Sequence, residues 1–412
     1  MKWTLTSPDG IGDFLLRIPW LKEMERNGWR LQLVAREPTL EAAKLAGVEG
    51  DFIPIAANPY GKEARRKRNP FREEIAQIRR FAPDLVFFGP SHPTFFEEEL
   101  ASRLQNEKIG GFVLAEGKWM SESIVDPFEI SRRYDLRVPI GLKDAEPERN
   151  RKAAEIILGR PVEVSQWMLE VTEGTLVPEI ADGDSFIVVN PSRRVGDYFQ
   201  GLGDEGWIRE LAILEQCVSE RFVFVGTPPE AASNTRIHAA LPGRDRHLDL
   251  TGKLANLTEL TRVIASSGGY VGKDCGVMHL ASSMKKPIVA VFGGGHGRRF
   301  FPTGKRAAVL TVDVPCRGCD WRCHLPEPLC ARDLEDGCVA NAWEKIGVLD
   351  GEVTLVVEQP MSAKGREIIL NQPQDDYPSR VHALKKDQLR RERSDALTPI
   401  HQKLLKKLFP KP

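Results

Sequence analysis

Three short strings combine residue types that can do chemistry. The first is Asp9-Gly10-Ile11-Gly12-Asp13, where a strand-like run over 2–6 gives way to an amphipathic stretch over 15–26. Two glycines let backbone approach a ligand closely, and a carboxylate held there can take a proton from a hydroxyl. Asp13 can equally cap the helix that follows, a very common use of aspartate. The second string is Ser192-Arg193-Arg194, directly after an apolar run at 186–190. A hydroxyl and guanidinium groups at a strand's carboxyl end suit phosphate oxygens, although a solvated basic loop reads the same way. The third is Gly272-Lys273-Asp274-Cys275-Gly276-Val277-Met278-His279-Leu280-Ala281. Here Asp274 stands between a strand and a helix, Gly276 thins the first turn, and His279 lies five residues beyond Asp274. Such a turn can clasp a sugar hydroxyl and a phosphate together, whereas a lone helical histidine is more often structural.

Cysteines form a fourth cluster. Five of the seven, Cys316, Cys319, Cys323, Cys330 and Cys338, follow the spacing C-x2-C-x3-C-x6-C-x7-C. Soft ligands this close resemble a tetrahedral zinc or iron site, with bare thiols and disulfides as the alternatives. In each case the role is structural, because the spacing shows no open coordination position.

The elements that must position these groups alternate in kind. Strands are expected at 2–6, 31–35, 52–56, 85–89 and 108–112, then at 186–190, 222–226, 247–250, 269–272, 288–292 and 307–312. Helices are expected at 15–26, 40–45, 72–81 and 94–104, then at 205–218, 230–241, 257–265 and 278–284. Strand–helix alternation at this spacing argues for parallel, doubly wound α/β sheets, which bind ligands beyond the carboxyl ends of their strands. Two Rossmann-like domains facing a cleft are expected, over 1–165 and 185–350, followed by a tail over 361–412. From residue 380 onward ten basic residues stand against three acids, a net charge of +7.

Lys+Arg 58 against Asp+Glu 58 leaves the whole chain formally neutral, so the body carries −7. That excludes a globally basic nucleic-acid binder, and 41% hydrophobic residues exclude a disordered chain. The start lacks an apolar signal stretch, and no run approaches the ~18 residues of a membrane span. A cytoplasmic protein is the default expectation. The basic tail, with Leu389, Leu397, Ile400, Leu404, Leu405, Leu408 and Phe409 among its charges, suits peripheral contact with an anionic membrane face. A packed or solvated tail fits the same residues.

The chain resembles the family-9 glycosyltransferases of the lipopolysaccharide heptosyltransferase type. The resemblance rests on Gly12-Asp13, on Asp249-Leu250-Thr251-Gly252-Lys253 with Leu257 and Leu260, and on Asp274-Cys275-Gly276 with Met278-His279-Leu280-Ala281. The strand from Pro287 to Gly293 and the cysteine string opening Cys316-Arg317-Gly318-Cys319 add to it.

The resemblance implies a GT-B fold and transfer of a sugar, with inversion, from a nucleotide-sugar donor such as ADP-heptose. The acceptor would be a glycan, lipid-linked or protein hydroxyl. Asp13 would be the general base; Asp274, Gly276 and His279 would meet the donor, and Glu230 its ribose. The family's lysine after the strand at 186–190 is absent, leaving Ser192, Arg193 and Arg194 for the phosphates. The usual Ser or Thr after Asp274 is Cys275. Such chemistry needs no divalent metal, and Asp182-Gly183-Asp184 reads as a turn before a strand. A catalytically silent nucleotide-sugar-binding scaffold is the alternative from another class, and a protein-modifying member of the family is the nearer one.

Overall fold

The computed structural model describes residues 1–60, 69–104, 107–115, 130–141, 144–163, 167–171, 177–180, 183–191, 201–293, 298–303, 306–315, 325, 327–349, 351 and 353–370. By contacts the chain falls into two compact units. One holds Met1–Gly10 and Arg17–Val164, and the other Ile11–Leu16 and Ser165–Gln374.

In chain order β1 (Lys2–Ser7) leads to α1 (Ile11–Leu15), which belongs to the second unit, and then to α2 (Ile18–Arg26). The rest of the first unit is β2 (Arg30–Ala35), α3 (Glu37–Leu45), β3 (Asp51–Pro54), α4 (Arg72–Phe81), β4 (Leu85–Phe88), α5 (Phe95–Arg103), β5 (Ile109–Leu114), β6 (Leu136–Ile140) and α6 (Glu146–Leu158). All its strand pairs are parallel, in the order β3-β2-β1-β4-β5-β6. Apolar strands bury both faces of such a sheet, and Trp3, Leu5, Val86 and Phe87 are fully buried. Trp3, Trp20, Phe87 and Phe112 form a chain of tilted and edge-on rings 5.1–5.3 Å apart. The expected single helix over 15–26 is two, with Pro19 in the first turn of α2. Proline is at home in a first turn and costly in a helix interior, which sets the break.

The second unit continues with β7 (Phe186–Asn190), α7 (Gly203–Cys217), β8 (Arg221–Phe224), α8 (Ala231–Ala240), β9 (Leu248–Asp249), α9 (Leu257–Ser266), β10 (Gly269–Lys273), α10 (Gly276–Ser283), β11 (Ile288–Val291), β12 (Arg306–Asp313), α11 (Leu329–Arg332), α12 (Cys338–Gly347), β13 (Val353–Pro360) and α13 (Ala363–Leu370). Its seven strands, again all parallel, run β13-β12-β11-β10-β7-β8-β9. The sheet therefore extends past residue 350, and residues 363–370, expected as the start of the tail, form a helix. Ser362 donates its backbone N–H to Asp333 at 2.7 Å, which ties this helix down.

Two doubly wound parallel α/β units of this kind make a GT-B, Rossmann-like fold. In each sheet the strand order reverses once, at β1/β4 and at β7/β10, and such switch points are where doubly wound sheets take ligands. Among the described residues no helix is long and apolar enough to cross a membrane. The charged tail from residue 380 lies outside them.

Candidate functional site in the second unit

The two switch points are built differently. At β1/β4 the ends of both strands are tied to one guanidinium. Arg17, fully buried, donates to both carboxylate oxygens of Asp9 at 2.7 and 2.5 Å, to Ser7 Oγ at 2.8 Å and to the Gly89 carbonyl at 3.0 Å. Glu146 Oε1 lies 3.6 Å from the same guanidinium. The chain's own side chains thus fill this crevice.

At β7/β10 the polar groups come from several elements of the second unit. α1 packs on α10, which brings Asp13 to the same unit as Asp274 and His279. Asp13 is the third residue of α1 and half-buried, so it stands inside the helix rather than before it as a cap. Helix contact at that point is close. A β-carbon at Gly12 would lie 2.5 Å from His279 Cδ2, so only glycine leaves room for the ring. Gly276, expected to be the thinned position, is less tight: its β-carbon would meet Ile11 Cβ at an ordinary 3.5 Å.

β10 ends at Lys273, and Asp274 and Cys275 make the turn into α10. The Asp274 N–H still donates to the Val291 carbonyl of β11 at 3.2 Å, which fixes the turn to the sheet. Asp274 Oδ1 lies 3.8 Å from His279 Nε2, an ion-pair distance when the imidazole is protonated. Burial, with the neighbouring Asp13 charge, pushes the Asp274 carboxyl up to about 7 against a partial opposing pull from Lys273. Two carboxylates so placed resist being ionised together. Cys275 stands where a hydroxyl was expected. Its thiol, pushed up by burial, lies 3.4 Å from the Tyr270 hydroxyl and donates to Asn190 Oδ1 at 3.8 Å.

Glu230 is brought to the same end of the sheet by the turn after β8, but its carboxylate is already engaged. One oxygen accepts from the Thr227 N–H at 2.7 Å and from the Thr227 hydroxyl at 2.8 Å, a capping box. The other accepts from Lys273 Nζ at 3.1 Å. Lys273, 3% exposed, is the functional-site residue that sequence reasoning passed over. The signal was available: a lysine closing an otherwise uncharged strand, Gly269-Tyr270-Val271-Gly272-Lys273. The Asp249–Lys253 string forms the neighbouring turn. Asp249 accepts from the Thr251 N–H at 2.9 Å, Asn234 donates to Thr251 Oγ1 at 2.6 Å, and Gly252 supplies a φ of +73°.

Ser192, Arg193 and Arg194 lie outside the described residues, as do Cys316, Cys319 and Cys323. Cys330 and Cys338 are buried. The Cys338 thiol donates to Glu210 at 3.6 Å, and burial with that carboxylate keeps it well above the usual thiol range. Among the described residues no group of three or more His, Cys, Asp or Glu is placed to hold a metal ion.

Residues 146–325 match glycosyltransferase family 9 (heptosyltransferase), a span that includes Glu230, Asp274, Gly276 and His279 but not Asp13. Over that span the chain resembles a family-9, heptosyltransferase-like glycosyltransferase. The resemblance read from the motif strings is borne out there. Among solved structures, E. coli ADP-heptose LPS heptosyltransferase II is similar at a TM-score of 0.58 and 16% identity, over 84% of this chain and 98% of that one. A family-9 glycosyltransferase from Veillonella parvula is similar at 0.58 and 13%, over 96% of both chains. E. coli heptosyltransferase WaaC with ADP is similar at 0.52 and 19%, over 71% of this chain and 88% of that one. At these identities the likeness is one of fold. No curated protein matches the sequence.

Proposed function

We propose that this protein transfers a sugar, with heptose as the first candidate, from a nucleotide-sugar donor to a hydroxyl of a cell-envelope glycan or related acceptor, with inversion. The observation that carries the reading is the grouping of Asp13 with Asp274 and His279 at the switch point of the second sheet, the last two within the span that matches family 9. The similar fold of WaaC was solved with ADP, which makes an ADP-sugar the first donor to try.

Asp13 acts as general base. It takes the acceptor hydroxyl's proton as that oxygen attacks the anomeric carbon from the face opposite the nucleotide. The bond from the anomeric carbon to the diphosphate oxygen breaks, and the nucleoside diphosphate leaves with one more negative charge. His279, the N-terminus of α10, Ser192, Arg193 and Arg194 stabilise that charge. Protonation of Asp274 near neutral pH relieves Asp13 of a second buried anion while it waits as carboxylate. Gly276 lets the start of α10 approach the diphosphate, and Glu230 meets the ribose. The second unit takes the donor and the first the acceptor. The basic tail suits a cytoplasmic enzyme working at the inner membrane face on a lipid-linked acceptor.

The test is a donor screen by calorimetry with ADP-heptose and with GDP-, UDP- and dTDP-sugars, followed by turnover of the best binder. Asp13→Asn should bind the donor as the parent does and lose at least about a hundredfold in kcat, within the usual range for general base catalysis. Full activity in that variant removes Asp13 from the base role. Binding without turnover on any acceptor would leave a scaffold.

A further inference from the structure

The crevice outside the carboxyl ends of β7 and β10 is bounded by a buried ion pair of which only Glu230 has a place in the chemistry above. Lys273 is the last residue of β10, and Glu230 opens the helix after β8. Because β7 lies between them in the sheet, the pair spans two strand spacings, roughly 9–10 Å. Both side chains are under a tenth exposed. Neither charge is tolerated there without the other. The lysine is itself held in place: the Tyr270 hydroxyl donates to the Lys273 carbonyl at 2.8 Å, and Tyr270 is fully buried.

An ionised carboxylate offers about four acceptor positions. Thr227 fills two on one oxygen of Glu230 and Lys273 one on the other, which leaves a single position for a donor from outside.

We propose that Lys273 is a positioning residue that holds the Glu230 carboxylate in its orientation, with one acceptor position left for one ribose hydroxyl of a nucleoside diphosphate. This rests on the nucleotide-sugar reading of the site. Without the ammonium, the Glu230 oxygen that faces Lys273 loses the partner that fixes it, and the position that accepted a hydroxyl is no longer held in place. The signature is discrimination between a ribonucleotide and its deoxy analogue rather than affinity alone.

The probe is whichever of ADP, GDP and UDP binds the full-length protein, with its 2′-deoxy and 3′-deoxy analogues, all measured by calorimetry. The parent protein should bind one deoxy analogue about tenfold or more weakly, the value of a hydrogen bond to a charged group. Lys273→Met should bring that ratio close to one, and Lys273→Arg should restore most of it. Adding Lys273→Met to Glu230→Gln should lower the ratio no further than Glu230→Gln alone. Should the single Met variant not fold, the double variant, neutral at both positions, and the Arg variant carry the comparison.

A parental ratio in Lys273→Met, or a separate loss of ratio in the double variant, overturns the proposal. A parent that binds a nucleotide without discriminating either deoxy form also overturns it, while leaving the nucleotide reading intact. A parent that binds none of the three nucleotides removes that reading and this proposal together.

Discussion

The imidazole of His279 occupies the space a side chain at position 12 would need. A β-carbon built on Gly12 falls 2.5 Å from His279 Cδ2 and 3.3 Å from Nε2. The glycine before Asp13 is therefore what lets a histidine from α10 lie against α1. It couples two motifs more than 260 residues apart in sequence, Gly12-Asp13 and Asp274–His279.

Gly12→Ala must move that ring. Overpacking a tight contact costs about 1–3 kcal/mol, so a drop of a few degrees in melting temperature is expected. Transfer activity should fall by about tenfold or more, because Nε2 leaves its place 3.8 Å from Asp274. Gly276→Ala, which meets only an ordinary contact, should cost less stability. Thermal melts of both variants decide it; equal melting temperatures would mean that the ring yields freely.

Asp274 makes stability depend on pH in a predictable direction. Its carboxyl holds a proton more tightly when folded, up to about 7, than at its ordinary 3.8, so the folded state binds more protons between those values. Its contribution is therefore most favourable at the acid end and is lost as pH rises through 7. Above that, the buried carboxylate opposes folding. Asp274→Asn should gain on the parent from pH 5 to about pH 7 and then run level with it, by about 2–3 kcal/mol in all at roughly 1.4 kcal/mol per pKa unit. Denaturation midpoints across that range measure it, and two parallel curves would show that Asp274 titrates normally.

Much of this was legible in the sequence, for identifiable reasons. The central strands are short apolar runs ended by turn residues, and Phe186–Asn190 and Gly269–Lys273 stand within a residue of where the pattern put them. The two edge strands that the pattern missed are less apolar. Leu136–Ile140 carries Arg137 and Pro139, and Val353–Pro360 is fully buried at none of its eight residues. An edge strand needs neither two apolar faces nor every N–H, so its pattern fades. Asp13, Asp274 and His279 were readable because glycines and turns mark their strings. Lys273 had only the uncharged strand before it as a signal, and Arg17 had none, because nothing local tells a buried charge from a solvated one; partners such as Glu230 and Gly89 decide it. Cys338 shows the same limit of a local pattern. Spacing alone groups it with the other cysteines, while its neighbour across the fold is Glu210.

Arg17 offers a test of the filled switch point in the first unit. Replacing it with Met leaves Asp9 and Glu146 buried without their cation, and breaking such a pair costs about 3–5 kcal/mol. Arg17→Lys should rescue little, because an ammonium cannot serve Ser7, both Asp9 oxygens and the Gly89 carbonyl in one plane. Urea unfolding of the two variants should show both midpoints well below the parent's. A lysine variant as stable as the parent would mean that charge alone, not the guanidinium fork, holds the loop.

Glu210 sets the chemistry of Cys338 and the start of α12 together. Its oxygens accept from the Gly337 N–H at 2.7 Å, the Val339 N–H at 2.9 Å and the Cys338 thiol. Gly337 makes this approach in a left-handed conformation, φ +84°, that favours glycine. Glu210→Ala orphans two buried N–H groups, each worth about 1–3 kcal/mol, so a loss of about 2–4 kcal/mol is expected. The same change removes the negative charge that helps burial keep the thiol protonated, so Cys338 should become easier to ionise. Alkylation at pH 8, followed on the Cys338 peptide by mass spectrometry, should be slow in the parent and clearly faster in the variant. The two effects separate by adding Cys338→Ser to Glu210→Ala. The stability loss should remain when the thiol is gone, since it belongs to the backbone N–H groups. If the loss disappears with the thiol, the carboxylate serves the cysteine rather than the helix.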